Sequence, residues 1–533
     1  MTALQKSLSA LSAARAEVKL NGIVRGIEKE SLRVTPEGTL AHTPHSKALG
    51  SALAHEQITT DFSEALLEFI TPPFSNVDAV LTSLDHIHRF TYAQLDAQTD
   101  KEFLWVNSMP CMLRGDADIP VAQYGNSNIG KMKTIYRLGL GHRYGRLMQA
   151  IAGIHYNFSL PDSFWRFLHQ QEQSTQSLQD FKTQRYFDLI RNFRRYFWLL
   201  LYLFGAAPAV CRTFVAGRKH HLVPFGDDDH SLHSPYATSL RMGDLGYQSK
   251  AQQALLINYN DASGYISALC SAITQHYPDY SKIGIKDRAG NYQQLNDGIL
   301  QIENEFYSTI RPKRTAERGE TALHALFERG VEYIEVRCID LNPFQPLGID
   351  SEQIHFLDTF LLFCLLSDSP ASDNNEYRRI QENQQRIVYR GRDPALELLN
   401  TNRSHGFRQW SKDILEQLSD VAQLLDEAFD SAVHIRALER QREKIANPQL
   451  TPSAQVLQAM RDNDQSFFGF AYQQAMHHAR YFRERPLADA DLGEFRRMAE
   501  QSLTEQREIE LSDDMDFEDY LENFYSQYQC GSC

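Results

Sequence analysis

The sequence predicts an α+β fold, an antiparallel or mixed β-sheet surrounded by helices and followed by a mainly helical C-terminal region. Three observations lead there. From about residue 20 to about residue 350, strand-like and helix-like segments alternate without the regular rhythm of a doubly wound sheet. Beyond about 350, Gln, Glu, Arg, Leu and Ala dominate, with apolar residues at helical intervals. Each strand candidate also gives one face to hydrocarbon and the other to polar side chains. We therefore expect residues 1–350 to form a sheet core with helical insertions. Residues 351–533 would be a mainly helical region packed on that core and ending in an acidic tail.

At 533 residues the chain exceeds the size at which one hydrophobic core usually stops growing. Hydrophobic residues make up 42% and aromatics 11%, which argues against wholesale disorder. The formal charge of -14 repels phosphodiester backbones, and no basic patch dominates, so no nucleic-acid partner is expected. Seven cysteines at 111, 211, 270, 338, 364, 530 and 533 are too sparse and uneven for a secreted disulfide framework. A reducing, cytoplasmic setting is the simpler expectation.

The elements follow in chain order. Residues 1–20 carry Leu and Ala at helical spacing interrupted by Lys and Arg, without the apolar stretch of a secretion signal. GIEKESLRV (26–34) reads as a strand left through the turn TPEG. Glu28 and Glu30 share a face with Leu32, about 7 Å apart, while Ile27, Lys29 and Ser31 take the other. Like charges so placed need water or a cation against them. EALLEFIT (64–71) reads as a second strand, although DFSEALLEF also fits a helix with Asp61, Glu64 and Glu68 on one side. Helices are expected at 76–97 and 179–204. AGIHYNFSL (152–160) is a strand with His155, Asn157 and Ser159 on one face. YFWLLLYLFGAAPAVC (196–211) holds Gly205 and Pro208 and is too short to span a bilayer, so it reads as a buried core helix and no membrane association is expected. NGILQIENEFYSTI is expected as a strand with Glu303 and Glu305 on one face, and VEYIEVRCID (331–340) as another with Tyr333, Glu335 and Arg337.

If these strands pair, their polar faces form one wall dense in carboxylates. Hard divalent cations are the cheapest means of keeping buried carboxylates ionised together. Oxygen ligands with an occasional imidazole suit Mg²⁺ or Mn²⁺, and Mg²⁺ so held keeps positions open for phosphate oxygens. Taken singly, each strand also fits the edge of a half-solvated sheet. GNSNIGK (125–131) matches the core of a phosphate-binding loop, but Met132 replaces the hydroxyl residue and no buried strand precedes it, so a flexible surface loop is expected. KHHLVPFGDDDHSLHSPY reads as a solvated loop and Cys530-x-x-Cys533 as an exposed dithiol. Arg137, Arg241, Arg311, Lys313, Arg314 and Arg337 lie near the acidic segments, where guanidinium groups would suit phosphoryl or carboxylate oxygens or make structural ion pairs.

GIEKESLRV, ITTDFSEALLEFITPP, the NSMPC stretch, AGIHYNFSLP, PYATSLRMGDLGY, QIENEFYSTIRPKR and YIEVRCIDLNPF together closely resemble the proteobacterial type of glutamate–cysteine ligase. The resemblance runs in order from about residue 20 to about 350 and more loosely beyond. It implies a glutamine-synthetase-like fold, an antiparallel sheet forming a funnel that holds Mg²⁺ and the cosubstrate ATP, with residues 1–350 as the catalytic core. The implied reaction joins the γ-carboxylate of L-glutamate to L-cysteine through a γ-glutamyl phosphate, the first step of glutathione synthesis, by a monomer acting on small molecules. By motif, Glu28, Glu30, Asp61, Glu68, His155 and Glu335 look like metal ligands, and Tyr136, Arg241, Tyr247, Tyr307 and Phe62 like the cysteine pocket. Arg337, Arg137 and Asn157 would hold the transferring phosphoryl group. Some relatives carry a surface disulfide, but Cys111 has no partner in the segment around DSFWRFLHQQEQ, and the terminal C-x-x-C stands as its replacement. Two other readings compete: a ligase of this fold using another amine, and a non-catalytic acidic scaffold.

Overall fold

Ten segments of the chain form the strands around which the molecule is built. The computed structural model describes residues 2–246, 250–253, 255–401 and 403–528. In chain order the strands are β1 (Val24–Val34), β2 (Ile58–Thr60), β3 (Leu66–Ile70), β4 (Phe103–Leu104), β5 (Ile154–Ser159), β6 (Ala209–Cys211), β7 (Val223–Phe225), β8 (Asp228–His233), β9 (Ile310–Lys313) and β10 (Tyr333–Ile339). The main sheet runs β2-β3-β1-β5-β10-β9, with β4 added to the end of β1, and every pairing is antiparallel. Strands β6, β8 and β7 make a small separate sheet. After β10 the chain is helical apart from a short hairpin, Glu397–Asn400 with Arg403–Gly406.

Alternation decides which side of the main sheet is which. Ile27, Leu67, Phe69, Ile154, Tyr156, Phe158, Ile334 and Val336 are completely buried on one face. That face is backed by helix Val77–Asp96 and by helix Ser351–Leu366, which packs on both Val77–Asp96 and Leu178–Tyr196. Helix Ser351–Leu366 is apolar nearly all round, as a helix enclosed by others must be. Each fully buried Leu or Phe in it contributes about 1.5–3 kcal/mol.

Cations of β1 interrupt this apolar side: Arg33, paired with Glu102, Arg25 and Lys29. Arg25, fully buried, gives Nε and Nη2 to Asp358 Oδ2 at 2.8 and 2.6 Å, and Asp358 Oδ1 accepts the Tyr156 hydroxyl at 2.6 Å. The trio bolts β1 and β5 to helix Ser351–Leu366. Lys29 lies between Glu28 and Glu30 but points the opposite way, its Nζ 2.7 Å from His88 Nε2. Burial without a carboxylate lowers Lys29 to about 7.

Several expectations change. QIENEFY is no strand: Glu303–Glu305 form a single 3₁₀ turn, and the strand begins only at Ile310. Its acids are consumed elsewhere. Glu305 accepts from Arg143 Nη1 at 3.0 Å and the Tyr144 hydroxyl at 2.5 Å, and Glu303 from the Tyr528 hydroxyl. The polar alternation there reflects tertiary partners. GNSNIGK is not a flexible loop either. Ser127 caps helix Asn128–Tyr144, and carboxylates of Asp513 and Glu510 accept the N–H groups of Asn128 and Asn126. Residues 223–233, expected as a loop, form the β7–β8 hairpin.

Cys111 does have a partner. It is disulfide-bonded to Cys211 at the end of β6, 100 residues away, with Cα atoms 5.4 Å apart. The sequence concealed this because the partner comes from a different sheet and not from the segment near residue 165. Cys338 and Cys364 are free and buried. The acidic tail folds as helices Asp489–Leu511 and Phe517–Tyr525, the second anchored by Tyr525 on the Gln301 carbonyl at 2.9 Å. The Cys530/Cys533 pair lies outside the described residues. Among the described residues no helix is long and apolar enough to cross a membrane; 196–211 splits into the end of helix Leu178–Tyr196, helix Trp198–Phe204 and β6.

Arg25→Met strands the buried Asp358 carboxylate. We expect it to lower unfolding free energy by about 3–5 kcal/mol, read as a fall in the denaturant midpoint; an unchanged midpoint would show that the trio is not what joins sheet to helix.

Candidate active site

The opposite face of the sheet carries the acidic teeth, and register decides how they meet. Glu30 on β1 stands directly opposite Glu68 on β3, and Glu28 directly opposite His155 on β5. Asn157 pairs with both Gly26 and Glu335, so β10 delivers its carboxylate beside them, and Arg311 on β9 pairs with Glu335 in turn. The β5–β10 register shifts between Val336 and Ile339. A bulge of this kind bends the strand and re-aims the side chains within it, here Arg337.

Distances confirm the convergence. His155 Nδ1 lies 2.9 Å from Glu28 Oε2 and 3.5 Å from Glu335 Oε1, and its Nε2 lies 3.7 Å from Glu30. Glu28, Glu68 and His155 each offer a ligand atom within 4.8 Å of the others. Asn157 Nδ2 donates to Glu28 Oε1 at 2.9 Å, and the Gly153 N–H to Glu30 Oε2 at 2.6 Å. Asp61 sits in the connection after β2, close enough for its charge to act on Glu30 and Glu68. Glu28, Glu30, Glu68, His155 and Glu335 therefore share this face, with Asp61 beside it. EALLEFIT is a strand and not a helix, which is why Glu68 reaches the wall while Glu64 turns aside to accept the His45 and Gln123 N–H groups.

The wall is electrostatically divided. Burial, Asp61 and the other carboxylates push Glu30 up to about 8 and Glu68 well above the usual range. Burial also raises Glu335 and Glu28. For Glu335 this is overcome by Arg337 and Lys313, 2.9 and 3.6 Å away, and for Glu28 by His155 and Lys313, so both are held low. One half is thus held ionised by protein cations, while in the other Arg241, Arg337 and Arg137 are outweighed by burial and neighbouring carboxylates. Glu335 Oε2 and Asn157 Oδ1 are buried with no hydrogen-bond partner among the described residues. Oxygen donors with one imidazole and two unused buried oxygens fit a hard divalent cation of the Mg²⁺ or Mn²⁺ kind.

Beside the wall opens a cavity of 430 Å³, lined among others by His155, Arg241, Tyr307, Thr309 and Arg337. Arg241 is almost fully buried. Its Nη2 donates to the Arg337 carbonyl at 2.9 Å and Nη1 lies 3.6 Å from Asp340. A Cβ on Gly153 would stand 2.0 Å from that guanidinium, so only glycine can both carry the N–H that holds Glu30 and leave room for Arg241. The Tyr307 hydroxyl accepts from Gln149 at 2.7 Å.

The remaining expected residues are placed differently. Arg137 lies over the Tyr124 ring at 4.5 Å and bonds the Asp61 carbonyl. Phe62 is buried in the hydrophobic core and, like Tyr136, does not line the cavity. Tyr247 lies outside the described residues. The far wall of the cavity went unread in the sequence: Arg194 is sandwiched between Tyr259 and Tyr377, 4.1 and 4.5 Å from the ring centres. These three come from segments far apart in the chain, and no local pattern links them.

Comparison with known proteins gives a single answer. Residues 8–387 match the family model described as glutamate-cysteine ligase. The chain is 52% identical to a glutamate–cysteine ligase of Saccharophagus degradans over 96% of both chains. It is 51% identical to that of Alcanivorax borkumensis, over 98% of this chain and 100% of the other. A crystal structure of a glutamate–cysteine ligase from Francisella tularensis in complex with AMP superposes with TM-score 0.88 at 36% identity, covering 95% of this chain and 98% of that one.

The divided wall makes stability depend on cation and pH. Glu30 and Glu68 titrate higher folded than unfolded, so the stability they carry is complete below their unfolded values and is lost as pH rises through the folded ones. The melting temperature of chelator-treated protein should therefore fall between about pH 5 and pH 8, and saturating Mg²⁺ should flatten the fall. A profile unaffected by Mg²⁺ would count against a cation at these residues.

Proposed function

The chain belongs to the glutamate–cysteine ligase family and catalyses ATP-dependent joining of glutamate to cysteine, forming the glutathione precursor; from that premise we propose how its funnel does so. Glu28, Glu30, Asp61, Glu68, His155 and Glu335 would hold Mg²⁺ or Mn²⁺, which when bound would supply neutralisation of the charge that develops in phosphoryl transfer. The observation that carries this is the register: Glu30 faces Glu68 and Glu28 faces His155, with Glu335 beside them.

A carboxylate is a poor acyl donor to an amine. The γ-carboxylate oxygen of glutamate first attacks the γ-phosphorus of ATP, ADP leaves, and γ-glutamyl phosphate forms. Arg337, with Arg137 and Asn157, steadies the transferring phosphoryl oxygens by charge-assisted hydrogen bonds. Glu335 keeps Arg337 oriented through its 2.9 Å contact. The cysteine amine then attacks the activated carbonyl, the amide bond forms and phosphate departs. Arg241 and Tyr307, which line the cavity, receive the cysteine. The enzyme works as a cytoplasmic monomer.

The acidic-scaffold reading has nothing left to explain once the family is known, but strictness for the acceptor is open to experiment. ADP release should be slow with glutamate alone and strongly stimulated by cysteine. Equal stimulation by 2-aminobutyrate would show that the thiol is not recognised. Glu28→Gln removes ligand charge at nearly constant shape, so turnover should fall about 10²-fold or more with the melting profile retained; a wild-type rate would refute its metal role.

A further inference from the structure

On the side of the sheet away from the funnel, three helices meet at a second group of ligating side chains. His355 and Asp358 are one turn apart on helix Ser351–Leu366 and share a face. His434 stands in the first turn of helix Val433–Ala446, packed against it. Each of the three offers a ligand atom within 4.8 Å of the other two, and the imidazole rings are 4.9 Å apart between centres.

The hydrogen bonding of His434 is informative. Its Nδ1 lies 2.8 Å from Asp426 Oδ1 at the end of helix Phe407–Phe429, and that carboxylate also accepts the N–H groups of His434 and Ile435 at 2.9 Å. Such a carboxylate is an acceptor, so Nδ1 carries the proton and Nε2 presents a lone pair. This Nε2 is buried and bonds nothing among the described residues, and the same holds for Nδ1 of His355. Buried polar atoms are normally satisfied, and two unsatisfied imidazole nitrogens beside one carboxylate call for an occupant. Carboxylate–histidine–metal is the arrangement by which proteins fix the tautomer of a ligating imidazole.

We propose that His355 Nδ1, His434 Nε2 and an Asp358 carboxylate oxygen form a binding site for a divalent transition ion of the zinc class, separate from the oxygen-rich wall. Two imidazoles and one carboxylate suit such an ion and are a poor match for Mg²⁺. Bonds of about 2.0–2.2 Å require the donors to draw together by roughly an ångström. His355 is only partly buried and can rotate to do so, leaving a fourth position for water. Asp358 already serves Arg25 and Tyr156, but a carboxylate has about four acceptor directions. Arg25 is the opposing charge nearby, and Asp426 balances it from behind His434. The ion would join helices Ser351–Leu366 and Val433–Ala446 behind β1 and β5.

The test uses the full chain, stripped with chelator and kept in excess Mg²⁺ to fill the wall, then titrated with Co²⁺ as the probe. The wild type should develop the intense visible absorption of four-coordinate cobalt, saturating at about one ion per chain. His355→Ala should weaken that binding by about tenfold or more while Mg²⁺-ATP turnover stays near wild type. His434→Gln should do the same, and if it does not fold, His355→Ala alone decides. Absence of the band in the wild type, or a band undiminished in His355→Ala, overturns the site.

Discussion

The antiparallel register that sets Glu30 directly opposite Glu68 constrains much of what surrounds it. Like charges at opposed positions of neighbouring strands repel, and burial magnifies the repulsion by removing water. Left without a cation, both carboxylates hold their protons. Glu28 and Glu335 are held low instead, Glu28 by His155 and Lys313 and Glu335 by Arg337 and Lys313. The funnel therefore grades from a compensated edge to an under-compensated centre, and the centre is where a divalent cation and its polyphosphate ligand would gain most.

Such a wall stays in place only if its back is rigid. The reverse face answers with an apolar surface broken by Arg25, Lys29 and Arg33. Arg25 is matched by Asp358 and Tyr156, which fix the two strands carrying Glu28, Glu30, His155 and Asn157 relative to one helix. Lys29, whose Nζ meets His88, is lowered by burial to about 7, so the strand that displays two acids does not also bury a strongly basic group behind them. Gly153 completes the frame by placing its N–H on Glu30 and its bare Cα against Arg241.

Much of the site could be read from two-residue periodicity. Glu28 and Glu30, His155 and Asn157, and Glu335 and Arg337 each lie two apart on a strand, and a strand has no choice but to present them together. The same reasoning failed at Glu303 and Glu305, which alternate equally well but fold as a 3₁₀ turn because Arg143, Tyr144 and Tyr528 claim their carboxylates. It was silent on Cys211 as the partner of Cys111, and on the stacking of Tyr259, Arg194 and Tyr377 across the cavity. Family resemblance supplied the chemistry that periodicity could not.

The amino-acid order by itself determined the two-faced strands, the helical character beyond residue 350 and the acids available to the funnel, because these depend on backbone geometry and on neighbours two to four positions away. Only the tertiary structure decided which acids meet, which are neutralised by Lys313 and Arg337, and that two histidines 79 positions apart stand ring to ring behind the sheet. Electrostatic partnership depends on distance through space and on exclusion of water, and neither is a property of the chain until it has folded.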